Sequence, residues 1–122
     1  MLKSVVLVVD DDEDNAMVLE AALESRGFVV KVARSCHDAR AVLEATPVDA
    51  LVTDYSLGDG DALDLLSSLG ERKPRVAVVV SGHGSPEDKA RTRAAGFDGH
   101  LLKPIVLDQL DQILRTALTV AV

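Results

Sequence analysis

VLVVDDDEDN (residues 6–15) runs an apolar stretch straight into a knot of carboxylates. From Ser4 to Val9 the chain is continuously apolar and rich in valine, the pattern of a strand covered on both faces. Asp10, Asp11 and Asp12 then stand side by side, and their mutual repulsion calls for a positive partner. Asp14 to Arg26 reads as a helix with Val18, Leu19, Ala22 and Leu23 on one stripe, ended by Gly27. A buried strand feeding a helix is the start of a strand–helix–strand unit, with the acids at the strand's C-terminal end.

The alternation continues. Phe28 to Ala33 reads as a strand, and Ser35 to Ala45 as a helix with Ser35 and Asp38 spaced like a capping box. VDALVTDY (residues 48–55) gives a third strand. A helix from about Asp61 to Leu69 follows, burying Leu63, Leu65, Leu66 and Leu69 and closed by Gly70. RVAVVVSG (residues 75–82) gives the most apolar strand. In SPEDKARTRAAG (residues 85–96) Ser85 caps, Pro86 fits the first turn, Glu87 and Asp88 suit the helix dipole, and Gly96 terminates. That helix has only Ala90, Ala94 and Ala95 to bury, which predicts loose, partly exposed packing. FDGHLL (residues 97–102) is a short last strand. The final helix, roughly Leu107 to Leu118, sets Leu107, Leu110, Ile113, Leu114, Ala117 and Leu118 on one face.

Strict alternation implies an α/β fold, a three-layer α/β/α sandwich around a five-stranded parallel sheet, because right-handed crossovers allow little else. Such units commonly take the strand order 2-1-3-4-5. The 122 residues suit one domain, 1–122, with no repeat or linker. Aromatics make up only 2% of the chain, so the core must come from Val, Leu, Ile and Ala.

Composition also excludes functions. A net charge of −7 argues against direct binding to nucleic acid or to an anionic membrane, since both need a clustered basic face. Cys36 is the single cysteine, which removes disulfide frameworks and cysteine metal sites and fits a reducing cytoplasm. Its expected role is a small side chain near a helix start. Apolar runs such as Val76 to Val80 are strand-length, and no signal peptide precedes Val5, so a soluble cytoplasmic protein is expected.

In a parallel sheet the residues just past each strand gather along one edge, where ligands bind. Asp10 and Asp11 follow the first strand, Asp54 ends the third, Ser81 follows the fourth and Lys103 the fifth. Clustered carboxylates suit a hard divalent cation, Mg²⁺ above all, which keeps waters that a phosphate can replace. Lys103 can pair with a phosphoryl oxygen or with Asp54, and Ser81 can donate to another oxygen. Asp54 is then placed as a nucleophile toward phosphorus.

Read together, VLVVDDD (residues 6–12), LVTDYSL (51–57), VVVSGHG (78–84) and HLLKP (100–104) resemble the receiver domains of two-component response regulators, including the chemotaxis type. The resemblance spans essentially the whole chain and implies the flavodoxin-like receiver fold. It implies Mg²⁺ held by Asp10, Asp11, Asp54 and the Ser56 backbone carbonyl, and phosphorylation of Asp54. Ser81 would be the switch hydroxyl, Lys103 the phosphoryl contact, and Lys103–Pro104 a cis bond. A histidine kinase or histidine phosphotransfer protein would donate, and the surface of the fourth helix, fifth strand and last helix would meet a downstream protein. Lys89, Arg91 and Arg93 make that helix basic, either as a solvated face or for docking. Such a protein catalyses only its own phosphorylation and slow dephosphorylation.

The chain departs from the family pattern in places. Gly58 replaces a frequent proline and starts Gly58-Asp59-Gly60-Asp61, which predicts a loose loop. Ala62 stands where glycine is common. His100 occupies the position of a switch aromatic, implying a weaker or pH-sensitive switch, or simply a solvated imidazole at a strand edge. Ser56 and His83, two residues past Asp54 and Ser81, would modulate aspartyl phosphate hydrolysis.

Among Asp12, Glu13 and Asp14 a helix dipole alone favours acids, and Asp12 is the least expected as a ligand. Two rival functions share these residues. Asp10 and Asp12 form the Asp-x-Asp of a haloacid dehalogenase-type Mg²⁺ phosphohydrolase, although Asp14 departs from the Thr or Val expected there. A docking-only receiver would use the fold without the chemistry. A flavin-binding module fits poorly, because carboxylates after the first strand repel its phosphate. No DNA-binding segment follows the last helix, so this stretch is not expected to act on DNA by itself; whether it stands alone or belongs to a longer regulator or hybrid kinase is left open.

Overall fold

The computed structural model describes residues 3–82 and 84–119. Its main sheet has five parallel strands, numbered among themselves in chain order: β1 (Val5–Val9), β2 (Val29–Ala33), β3 (Ala50–Asp54), β4 (Val76–Ser81) and β5 (Gly99–Leu102). They lie in the order 2-1-3-4-5, as expected. The helices are α1 (Glu13–Ser25), α2 (Cys36–Ala45), α3 (Ala62–Ser67), α4 (Pro86–Ala94) and α5 (Leu107–Thr119).

Side chains along a strand point alternately to opposite faces, and β1 uses both. Val6 and Val8 pack with Leu23 of α1 and Leu110 and Leu114 of α5. Leu7 and Val9 pack with Leu43 of α2 and Leu65 of α3. Cover on both faces is why β1 needs an uninterrupted apolar run.

The register aligns the strand ends. Val9 stands opposite Ala33 and Thr53, Asp54 opposite Val80, and Ser81 opposite Leu102. Backbone bonds carry the ladder one step further: Asp10 N–H donates to Ala33 O (3.1 Å), Tyr55 N–H to Val80 O (2.9 Å) and Lys103 N–H to Ser81 O (2.9 Å). The polar residues predicted to gather at this edge therefore do so on rigid backbone.

Several details differ from expectation. α1 starts at Glu13 because the Asp12 carboxylate caps it, accepting from Asn15 N–H at 3.1 Å. Val18 is not on the buried stripe; it is 72% exposed, and Ala16 and Leu23 are the buried positions. α3 ends at Ser67, and Gly70, at φ 54°, belongs to a 3₁₀ turn over Gly70–Arg72, while Leu69 is still buried. β5 starts at Gly99, since Asp98 is occupied in bracing β4: its carboxylate accepts from Ala77 N–H at 2.9 Å. The alanines of α4 do not form its inner face. Ala90, Ala94 and Ala95 are exposed, and Thr92 is the buried residue.

Candidate functional site

At the C-terminal edge of the sheet, Asp10, Asp11 and Asp54 each offer a carboxylate oxygen, and these oxygens all lie within 4.8 Å of one another. Two come from the turn that ends β1 and one from the end of β3, neighbouring strands in the sheet. Asp10 is nearly buried, and its carboxylate also accepts from Asp12 N–H at 2.9 Å. Burial pushes the Asp10 carboxyl above its usual value, the Asp12 N–H opposes this, and the Asp54 charge adds to the rise. The cluster is thus rich in hard oxygen donors and in uncompensated negative charge.

Lys103 answers part of that charge. Its Nζ lies 3.0 Å from Asp54 Oδ1. Burial pulls the ammonium down, but the hydrogen bond and charge of Asp54, together with Asp10 and Asp11, outweigh it and hold Lys103 above its usual value. The Lys103–Pro104 peptide is cis.

A cavity of about 390 Å³ adjoins Asp54 and is lined by Ser56, Ser81, Asp88, Arg91 and His100 among others. In its wall Ser81 Oγ lies 2.7 Å from His100 Nε2, and behind the ring the buried Thr92 Oγ1 lies 3.2 Å from His100 Nδ1. Thr92 also gives its O–H to Lys89 O at 3.0 Å, so the imidazole lies between Ser81 and the backbone-anchored Thr92, with a hydroxyl at each ring nitrogen. His100 is therefore no mere solvated edge residue; it joins Ser81 to α4. Residue type alone did not single out Thr92, yet its place on the helix facing β5 was a usable signal.

The loop after Asp54 also departs from expectation. Ser56–Leu57 pairs antiparallel with Gly60–Asp61, forming a hairpin with Gly58 and Asp59 at its tip. Cys36 N–H donates to Asp59 Oδ1 (2.8 Å) and His37 N–H to Asp59 Oδ2 (3.0 Å). Asp61 caps α3 by accepting from Asp64 N–H at 2.8 Å, and Ala62 N–H donates to Tyr55 O at 2.7 Å. A loop predicted to be loose from Gly58 is fastened to two helices. Cys36 is a buried residue of the first turn of α2, its thiol pushed up to about 11 by burial and by Asp59.

The sequence-predicted residues Asp10, Asp11, Asp54, Ser56, Ser81, His100 and Lys103 all fall along this edge. His83 lies outside the described residues. Asp12 is a helix cap and not a member of the cluster, which removes the second acid of the Asp-x-Asp phosphohydrolase reading.

A family model described as the response regulator receiver domain matches residues 6–115. The chain is similar to the response regulator protein PilR of Pseudomonas aeruginosa, 33% identical over 119 residues, covering 97% of this chain and 27% of PilR. It is also similar to the photosynthetic apparatus regulatory protein RegA of Cereibacter sphaeroides, 34% identical over 110 residues, covering 89% of this chain and 60% of RegA. The chain thus spans less than two thirds of either relative. Among solved structures, a Francisella response regulator receiver domain superposes with a TM-score of 0.89 at 25% identity, covering 96% of this chain and 98% of that one. A CheY-like receiver domain protein from Methanospirillum hungatei has a TM-score of 0.85 at 24% identity, covering 97% and 98%, and supports the fold.

Proposed function

The chain belongs to the response regulator receiver domain family, and we propose that it works as a phosphorylation switch with Asp54 as phosphoacceptor. The observation that carries this reading is the convergence of Asp10, Asp11 and Asp54 within 4.8 Å, with the Lys103 ammonium 3.0 Å from Asp54. Clustered carboxylates carrying excess negative charge fit Mg²⁺, which takes few protein oxygens. Asp10, Asp11, Asp54 and the Ser56 carbonyl would hold it. When bound, the cation neutralises charge on the transferring phosphoryl oxygens.

An Asp54 oxygen attacks phosphorus in line as the bond to the donor's imidazole nitrogen breaks, and that nitrogen regains a proton. Lys103 exchanges its contact with Asp54 for one with a phosphoryl oxygen. Ser81 turns its O–H from His100 to another. His100 then changes its hold on Thr92, which passes the event to α4 and so to the face formed by α4, β5 and α5, where a downstream protein binds. Ser56 and His83 modulate attack by water on the aspartyl phosphate. The donor is a histidine kinase or a histidine phosphotransfer protein in the cytoplasm, and residues 1–122 act as one receiver, alone or within a longer regulator or hybrid kinase. No described helix is long and apolar enough to cross a membrane.

Incubation with acetyl phosphate, with and without Mg²⁺, tests the reading by intact mass. A Mg²⁺-dependent, hydroxylamine-labile gain of one phosphoryl group, absent from Asp54→Asn, is the expected result. No gain in the presence of bound Mg²⁺ would favour a docking-only receiver.

A further inference from the structure

We infer that Asp59 is a positioning residue for the metal and phosphoryl site, acting through the Ser56 hairpin. The inference rests on the reading that the Ser56 carbonyl is a Mg²⁺ ligand. Ser56 is exposed, on a two-residue strand, and a ladder this short has little stability of its own. Its register is Ser56 with Asp61 and Leu57 with Gly60, so the tip residues Gly58 and Asp59 join the Ser56 side of the hairpin to its partner side.

Asp59 fastens that tip. Both carboxylate oxygens are used, one on Cys36 N–H at 2.8 Å and one on His37 N–H at 3.0 Å. Those N–H groups belong to the first turn of α2 and have no partner within the helix. The hairpin also lies close against α2, since a Cβ on Gly60 would come within 3.2 Å of Cys36 Sγ. The paired hydrogen bonds of Asp59 hold the tip against the start of α2. Groups that orient a metal ligand without touching the metal commonly change affinity strongly when removed.

A second cap on the same helix end supplies the control. Ser35 Oγ accepts from Asp38 N–H at 3.0 Å and has no bond to the hairpin. Both Asp59→Ala and Ser35→Ala weaken the start of α2, but only the first removes a tie to the hairpin that carries Ser56. Mg²⁺ titration by isothermal calorimetry on wild type, Ser35→Ala, Asp59→Ala and Asp59→Asn, with Tm measured alongside, separates the two roles. Asp59→Ala should raise the Mg²⁺ Kd about ten-fold, Asp59→Asn should recover part of that loss, and Ser35→Ala should lower Tm with Kd unchanged. Equal Kd values for Asp59→Ala and Ser35→Ala would overturn the inference while the metal site stands. A wild-type protein that binds no Mg²⁺ would overturn the metal assignment and this role with it.

Discussion

Ser81 has one hydroxyl proton and two uses for it. In the structure Ser81 Oγ lies 2.7 Å from His100 Nε2, and Thr92 Oγ1 lies 3.2 Å from Nδ1 on the other side of the ring. A phosphoryl group on Asp54 would compete for Ser81 in the cavity that both line. An imidazole with a partner on each nitrogen makes a different link from an aromatic ring that moves by burial alone, because breaking one hydrogen bond alters the other partner's environment. Thr92→Val tests the link. It keeps the shape of a fully buried residue but removes the hydroxyl that partners His100 Nδ1, and should cost about 1 kcal/mol of unfolding free energy. Adding His100→Phe should recover part of that cost, since removing both partners is cheaper than stranding one. Urea denaturation of the two single variants and the double variant reads the coupling; strictly additive effects would show that Thr92 and His100 do not act together.

The start of α2 shows what an element borrows from a distant loop. Hydrogen bonds from Cys36 and His37 hold the Asp59 carboxyl below its usual range. A carboxyl whose folded value is depressed contributes stability above its unfolded value, near pH 4, and loses it as pH falls through the lower folded value. Wild type should therefore be more stable than Asp59→Asn at neutral pH, with the difference shrinking below about pH 4. Denaturation curves at pH 7 and pH 3 measure it, and a difference independent of pH would mean that the charge contributes nothing. The sequence made the local half of this helix start legible, because Ser35 and Asp38 are neighbours in the chain. Asp59 was hidden, since its partners stand 23 and 22 residues away and Gly58 argued for looseness. The alternation of strands and helices and the edge carrying Asp10, Asp54, Ser81 and Lys103 were legible because apolar runs and capping signals are local, whereas the strand order rested on the arrangement such units commonly adopt. Val18 misled for the opposite reason: a helical stripe is a range of angles, and only its contacts say which flank is buried.

At the scale of the whole molecule, the fold spends stability to assemble its site. Its apolar layers close both faces of the sheet, yet three carboxylates are forced together at one edge, and Asp10 carries its charge where burial opposes it. Lys103 offsets one of the three. Sites of this kind are stabilised by removing the charge they exist to concentrate, at the expense of function. Asp10→Asn preserves an oxygen for the Asp12 N–H and lifts both the burial cost and the repulsion. Without Mg²⁺ it should unfold at a higher temperature than wild type, with a gain of about 0.5–2 kcal/mol. Added Mg²⁺ should reverse the order. A ligand bound only by the folded state contributes about 1.4 kcal/mol at ten times its Kd, and a weakened site gathers less of that stabilisation at the same concentration. Thermal unfolding across a Mg²⁺ series should therefore show wild-type Tm rising past that of Asp10→Asn. Parallel curves would mean that Asp10 has no part in holding the cation, leaving Asp11 and Asp54 as its carboxylate ligands.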